Sequence, residues 1–396
     1  MTNELLSRLR SRMPAVMEQA VADRRYLHMH PEVGFETQNT ERMVRERLTE
    51  LGIEILPNKT GVIGRIAGRD HSRAVALRAD MDALPMQEEN EVPYCSAVPG
   101  KMHACGHDGH TAMLLSAARL LQENRAELPM DVILLFQPSE EKGPGGAIYM
   151  VKDLEELGLK DHIAFGFGLH LFNDYPLGTV LLRHDSSAAS TDEFYITVKG
   201  CGGHAGLPHK CVDALSIGAK IVTAMESYMS RRMDPFDPAI FSVGIFRAGS
   251  AINIVAETAE VSGTIRCQKE ETRAKILEDM QRIVNGLCGG LGAKCDIRIV
   301  HGLPVLVNDD SAVDYAERVA RELFPAEKVT MGKNPMMGAE DFAYFAQAFP
   351  SSFIMIGSSN PEKGLTYLGH HPRFDFDETA METGILLLCG LALNME

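Results

Sequence analysis

A chain of 396 residues, 45% of them hydrophobic, has length for two or three domains of about 150 residues and can bury a sizeable core, which excludes disorder and collagen-like repetition. With 39 basic against 54 acidic residues the formal charge is −15, so the surface repels phosphate backbones and anionic lipid and no nucleic-acid partner is expected. No stretch reaches the roughly 18 apolar residues of a membrane span, and GILLLCGLAL near the C-terminus suits a buried helix, so no membrane partner is expected either. The N-terminal MTNELLSRLRSRM lacks the apolar core of a secretory signal, and the eight scattered cysteines fit reduced thiols. A cytoplasmic protein is the expectation.

In chain order, residues 14 to about 50 read as helix broken at Pro31 and closed at Leu51-Gly52, where glycine suits a left-handed cap. TGVIGRIAG and RAVALRAD follow as strands, then the amphipathic TAMLLSAARLLQEN, with Met113, Leu114, Ala117, Leu120 and Leu121 on one stripe. DVILLFQ (131–137) and IAFGFGL (163–169) are short apolar runs without alternation, as in parallel strands covered on both faces. This rhythm predicts an α/β fold, a mostly parallel sheet flanked by helices. After Ser190 it changes to EFYITVKG, a helix at about 212–229, IFSVGIFRAG, VAETAEVSGTIR, a helix at about 269–286 closed by Asn285-Gly286, and AKCDIRIV. That order is β-α-β-β-α-β, a ferredoxin-like satellite. The α/β pattern resumes with FIMIGSS and a C-terminal helix. The division expected is therefore 1–189, catalytic; 190–301, satellite and dimerisation; 302–396, the catalytic domain resumed.

Open α/β sheets place ligands beyond the carboxyl ends of their strands. RAVALR runs into Asp80-Met81-Asp82, DVILLFQ into Glu140-Glu141, and IAFGFGL into His170. Cys105 and His107, two residues apart, would face the same side of an extended segment. GHHP adds His370 and His371. Thiolate, imidazole and carboxylate together suit zinc, or manganese or cobalt where oxygen ligands share the site. Adjacent Glu140 and Glu141 stay ionised in a closed pocket only if a cation compensates them. Asp80 and Asp82 could serve as turn caps, but Asp82 reads best as a group orienting a ligand imidazole. His28, His30, His103 and His110 read as structural.

RADMDALPMQEE, MHACGHDGHTAML, LLFQPSEE, Gly-x-His at 168–170, VKGCGGHAGLPH, GTIR and GHHPRFDFDE fall in the order seen in the bacterial hippurate hydrolase and N-acyl-amino-acid amidohydrolase group, relatives of aminoacylase and carboxypeptidase G. The chain resembles that family from Arg25-x-x-His28-x-x-Pro31-Glu32 to Asp377. The resemblance implies two divalent ions (Zn, Mn or Co) per subunit, held by Cys105, His107, Glu141, His170 and His370, with His371 in the family's variable slot. It makes Glu140 the general base. It makes His204, from the satellite domain of the other subunit, the donor to the oxyanion, so that the active unit is a homodimer joined through the satellite. Asn253 and Arg266 would grip the substrate carboxylate, although Ala256 stands where the family often has proline. Glu340 and Asp341 would support the ligands. The implied activity is metal-dependent hydrolysis of N-acyl-L-amino acids, with dipeptides as alternative substrates. Two other classes compete: a thiol amidase with Cys105 as nucleophile and His107 or His110 as its base, and a catalytically silent binding protein for acylated amino acids.

Overall fold

The computed structural model describes residues 2–395. It separates into two compact units. One comprises the chain up to Asp185, Val307–Asn334 and the residues from Asp341 onward; the other comprises Ser186–Leu306 with Pro335–Glu340.

The first unit is built on an eight-stranded sheet in the order Glu54–Ile55, Val62–Ile66, Met130–Gln137, Asp70–Asp80, Ile163–Pro176, Ser351–Ser359, Val180–Leu182, Val329–Met331. The four central strands, from Met130–Gln137 to Ser351–Ser359, run parallel. Every residue of Met130–Gln137 is buried, which explains its unbroken apolar run. Helix His107–Glu123 packs between the N-terminal and C-terminal helices, Asn3–Met29 and Ala380–Leu393. Leu114, Ala117 and Leu121 join Leu9, Val16 and Leu387 in the core.

Two expectations for this unit need correction. The first helix begins at Asn3, where the Thr2 hydroxyl accepts from Leu5 N–H at 3.2 Å, and it runs through Pro14 rather than starting there. Leu5, Leu9, Met13, Val16 and Ala20 form a buried face across the proline, so packing overrides the missing backbone donor. The strand beginning with IAFGFGL continues to Pro176, so His170 lies within it. Its pairing with Asp70–Asp80 stops at Arg78–Gly168, whereas on its other side Met355 still faces His170. His170 thus lies past the last pairing with one neighbour while the other keeps it in register.

The second unit has a four-stranded antiparallel sheet, ordered Ala239–Ala248, Thr258–Cys267, Asp192–Lys199, Lys294–His301. With helices Ala214–Arg232 and Glu270–Gly290 it follows β-α-β-β-α-β along the chain. Phe194, Ile196, Val261, Ile221 and Met280 lie in its own core. The second helix passes Asn285-Gly286 and stops at Leu291, with Gly292 at φ +78°; Cys288, buried on the inner face, keeps the extra turn in place. Pro335–Glu340 joins this unit through Met336 N–H, which donates to Ser187 O at 2.9 Å. Among the described residues no helix is long and apolar enough to cross a membrane.

Candidate metal centre

Three loops at the carboxyl ends of the central strands carry Glu140 and Glu141, Cys105 and His107, and His370, while His170 comes from a strand; each loop has a residue in left-handed backbone. Ser139, at φ +59°, adopts a conformation that costs an L-residue about 1–2 kcal/mol. The amides of Glu140 and Glu141 that follow it donate to the Asp82 carboxylate at 2.8 and 3.2 Å. Gly106, at φ +89°, caps the His107–Glu123 helix, so the chain turns between Cys105 and His107. His370, at φ +68°, donates its own amide to Ala104 O at 2.7 Å, joining the GHHP loop to the Cys105 segment.

Cys105, His107 and His170 form one group of potential ligands, and Cys105, Glu141 and His370 another; within each group the donor atoms lie within 4.8 Å of one another. Cys105 is common to both. Its Sγ is 3.4 Å from His170 Nε2, and His370 Nε2 is 3.1 Å from Glu141 Oε1. Glu140 forms a further group with His107 and Glu141. Both inner histidines are oriented from behind: His107 Nδ1 donates to Asp82 O at 2.8 Å and His170 Nδ1 to Leu171 O at 2.7 Å. That leaves each Nε2 turned inward, the arrangement typical of metal-binding histidines. Asp82 therefore meets the His107 ring through its main-chain carbonyl, while its carboxylate holds the Glu140-Glu141 amides.

The donor set fits a cation on physical grounds. His107 Nε2 is buried without a hydrogen-bond partner and lies 4.0 Å from Glu141 Oε1, whose own near neighbour is His370 Nε2 at 3.1 Å. A buried polar atom left unsatisfied costs about 1–3 kcal/mol, so an unsatisfied imidazole nitrogen turned towards a carboxylate marks a place where an ion belongs. Burial disfavours charge on His107, yet the Asp80 carboxylate and Cys105 hold it well above the usual imidazole range. Bonding to Cys105 and Glu141 pushes His370 up to about 10. Burial, with the neighbouring histidines, drives His170 well below its ordinary value. The Cys105 thiol is pushed up by burial and by Glu141, the opposite of what an activated sulfur nucleophile needs.

His370 lies in the cluster and His371 does not. The His371 ring stacks on Tyr367 at 4.2 Å, and its Nδ1 accepts from Arg373 N–H at 3.0 Å. Accordingly, His370→Ala should lose one bound ion while His371→Ala keeps the wild-type metal content, as measured by elemental analysis. Asp341 accepts from Arg78 at 3.0 Å and from Gln137 at 2.8 and 2.7 Å, a buried anchor behind the strand ends; Glu340 falls in the second unit. His204, Asn253 and Arg266 are also in the second unit. His204 and Asn253, both exposed, lie side by side on a short ribbon in which His204 pairs with Ile254 and Ala205 N–H donates to Asn253 O at 3.0 Å. Half-buried Arg266 donates to Met337 O at 3.0 Å. Arg24 and Asp108, to which the sequence gives no role, and His28 and His110, which read from it as structural, have partners far along the chain.

A mostly parallel sheet whose strand ends gather a thiol, imidazoles and paired glutamates defines a metal-dependent hydrolase. The sequence matches Peptidase family M20/M25/M40 over residues 76–394, and the chain belongs to that family. It is 40% identical over 312 residues to the N-acyl-L-amino acid amidohydrolase of Geobacillus stearothermophilus, covering 78% of this chain and 82% of that protein. It is 36% identical over 373 residues to an N-acetylcysteine deacetylase of Bacillus subtilis strain 168, covering 93% and 95%. Among solved structures, the Bacillus subtilis YXEP protein, described as a dinuclear metal-binding peptidase of the M20 family, superposes with a TM-score of 0.83 at 32% identity, covering 96% of this chain and 98% of that one. The chain is thus a metal-dependent amide hydrolase.

Proposed function

We propose that this enzyme cleaves N-acyl-L-amino acids to a carboxylic acid and a free amino acid. The observation that carries this reading is the pair of ligand groups sharing Cys105, with Glu140 beside them. Cys105, His107 and His170 would hold one divalent ion and Cys105, Glu141 and His370 the other, of zinc, manganese or cobalt. Bound there, the ions would bring a water's pKa near 7 and polarise the substrate carbonyl. Glu140 takes the proton from the attacking water and delivers it to the departing amine nitrogen. Asp82 keeps that carboxylate in place by fixing the Glu140 main chain.

His204, supplied by the satellite of a second copy, donates to the developing oxyanion. Its Nδ1 accepts from Gly206 N–H at 2.9 Å, so its proton sits on Nε2, which supports a donor role. Asn253 beside it and Arg266 bind the carboxylate of the amino-acid half, a task suited to the guanidinium fork. Dimerisation through the satellite is supported by the edge strand Ala239–Ala248, where Ile240, Ile245 and Phe246 are exposed. A reducing cytoplasmic setting is supported by eight cysteines that are all unpaired.

The test is a hydrolysis screen of N-acetyl, N-benzoyl and dipeptide substrates on zinc- or manganese-loaded protein, before and after a strong chelator. N-acyl-amino acids should be cleaved, with activity lost on chelation and regained with metal. Cleavage of dipeptides alone would favour the dipeptidase reading. Absence of any turnover by metal-replete protein would favour a silent binding role.

A further inference from the structure

His110 is buried one helical turn beyond His107, with its ring centroid 4.6 Å from that of His170, and the mechanism above makes no use of it. Asp80, His107 and His110 are close enough to suggest another ion site. The hydrogen bonds exclude His110 from that role. Its Nε2 accepts from Leu171 N–H at 2.8 Å, which places the ring proton on Nδ1, and Nδ1–H donates to Asp80 Oδ1 at 2.6 Å. Both nitrogens are spent, so no lone pair is left for a cation.

The same bonds tie His110 to a ligand. Pairing between the central strands stops at Arg78–Gly168, so the Leu171 amide faces a side where the neighbouring strand has ended. His110 supplies the acceptor that this buried amide would otherwise lack. The carbonyl of the same Leu171 accepts from His170 Nδ1 at 2.7 Å. On the other side, Asp80 is anchored by Arg78 Nη1 at 2.7 Å, and Arg78 by Gln137 at 2.8 Å and Asp341 at 3.0 Å. A continuous buried chain therefore runs from Arg78 through Asp80, His110 and Leu171 to His170.

We infer that His110 is a positioning residue: it fixes the Leu171 main chain, and through it the His170 ring, so that His170 Nε2 is aimed at Cys105 Sγ. This rests on the reading of Cys105, His107 and His170 as one of the two ion sites. Losing a supporting partner of this kind typically weakens metal binding about 10–100-fold.

The experiment compares wild type, His110→Leu and His110→Gln. Zinc binding is measured by equilibrium dialysis in chelator-buffered zinc, the cobalt-loaded proteins are compared by visible absorption, and the metal-free proteins are compared by thermal melting. The leucine variant fills the space without either hydrogen bond. It should bind one of the two ions about 10–100-fold more weakly, keep the other at wild-type affinity, and alter the cobalt spectrum. Glutamine retains one donor and one acceptor, so it should fold even where leucine does not and show the same selective loss, smaller in size. Wild-type affinity for both ions in either variant overturns the inference. So does equal weakening of both ions in step with a lower melting temperature of the metal-free protein, which marks a merely structural role. Wild-type protein that binds no zinc overturns the metal centre itself, a result distinguishable from the other two.

Discussion

Glu140→Gln should keep its full complement of ions and lose turnover by about 10²–10⁴-fold in kcat, with little change in KM. Glutamine has nearly the same shape, and the Glu140 amide stays anchored to the Asp82 carboxylate. None of the atoms assigned to the ions is altered, so binding and polarisation of the substrate carbonyl should persist. What disappears is a carboxylate able to take a proton from water and return it to nitrogen. Glu141→Gln makes the contrast: it removes the carboxylate charge opposite His370, 3.1 Å away, and should lower metal content along with activity. Elemental analysis beside steady-state kinetics separates the two. Undiminished turnover by Glu140→Gln would return attention to Cys105 as nucleophile. That alternative also requires activity to survive chelation and to die with thiol alkylation.

The difference between these two neighbours was legible in the sequence only in part. Buried parallel strands announce themselves as apolar runs, and ligands gather where such strands end, so Asp82, Glu140, Glu141 and His170 could be placed near one another before any coordinates existed. The Cys-x-His spacing added Cys105 and His107. The partners behind them could not be read, because hydrogen bonds to main-chain atoms leave no trace in residue identity. His107 is oriented by a carbonyl of Asp82, and the Asp82 carboxylate is occupied by two amides. His110 looked like a structural residue because Leu171 N–H, its partner, is defined by where a neighbouring strand stops. Pro335–Glu340 carries no periodicity that assigns it to the second unit; it joins through bonds made by its main chain, to the Ser187 and Ala189 backbone and to the side chains of Arg266 and Gln268. The first helix shows the reverse case: Leu5, Leu9 and Met13 stand at helical spacing ahead of Pro14, and their burial carries the helix through the proline.

The second large effect expected is on stability, at Arg24. Its guanidinium is fully buried; Nε donates to Asp108 at 2.8 Å and Nη2 to Asp375 at 2.6 Å, partners 84 and 351 residues away in sequence. It also lies over the rings of Tyr94 and Phe376, at 4.8 and 4.5 Å. Asp108 follows His107 directly and Asp375 lies five residues beyond His370, so one side chain of the first helix joins the two segments that carry those proposed ligands. Arg24→Met keeps most of the apolar contact but strands two buried carboxylates, a change that typically costs about 3–5 kcal/mol. Arg24→Lys retains charge without the planar fork and should fall between methionine and wild type. Metal-free protein unfolded in urea at pH 7 should show the full difference as a lower midpoint. Burial opposes the charge on Asp108, but Arg24 and His28 outweigh it and hold the carboxyl well below its ordinary range. A carboxylate depressed in the folded state adds stability above its unfolded pKa of about 3.9 and loses it progressively as the pH falls towards the folded value. The gap between wild type and Arg24→Met should therefore be widest near neutrality and narrow below about pH 4. A gap that stayed constant across that range would mean that lost packing, and not the stranded carboxylates, sets the cost.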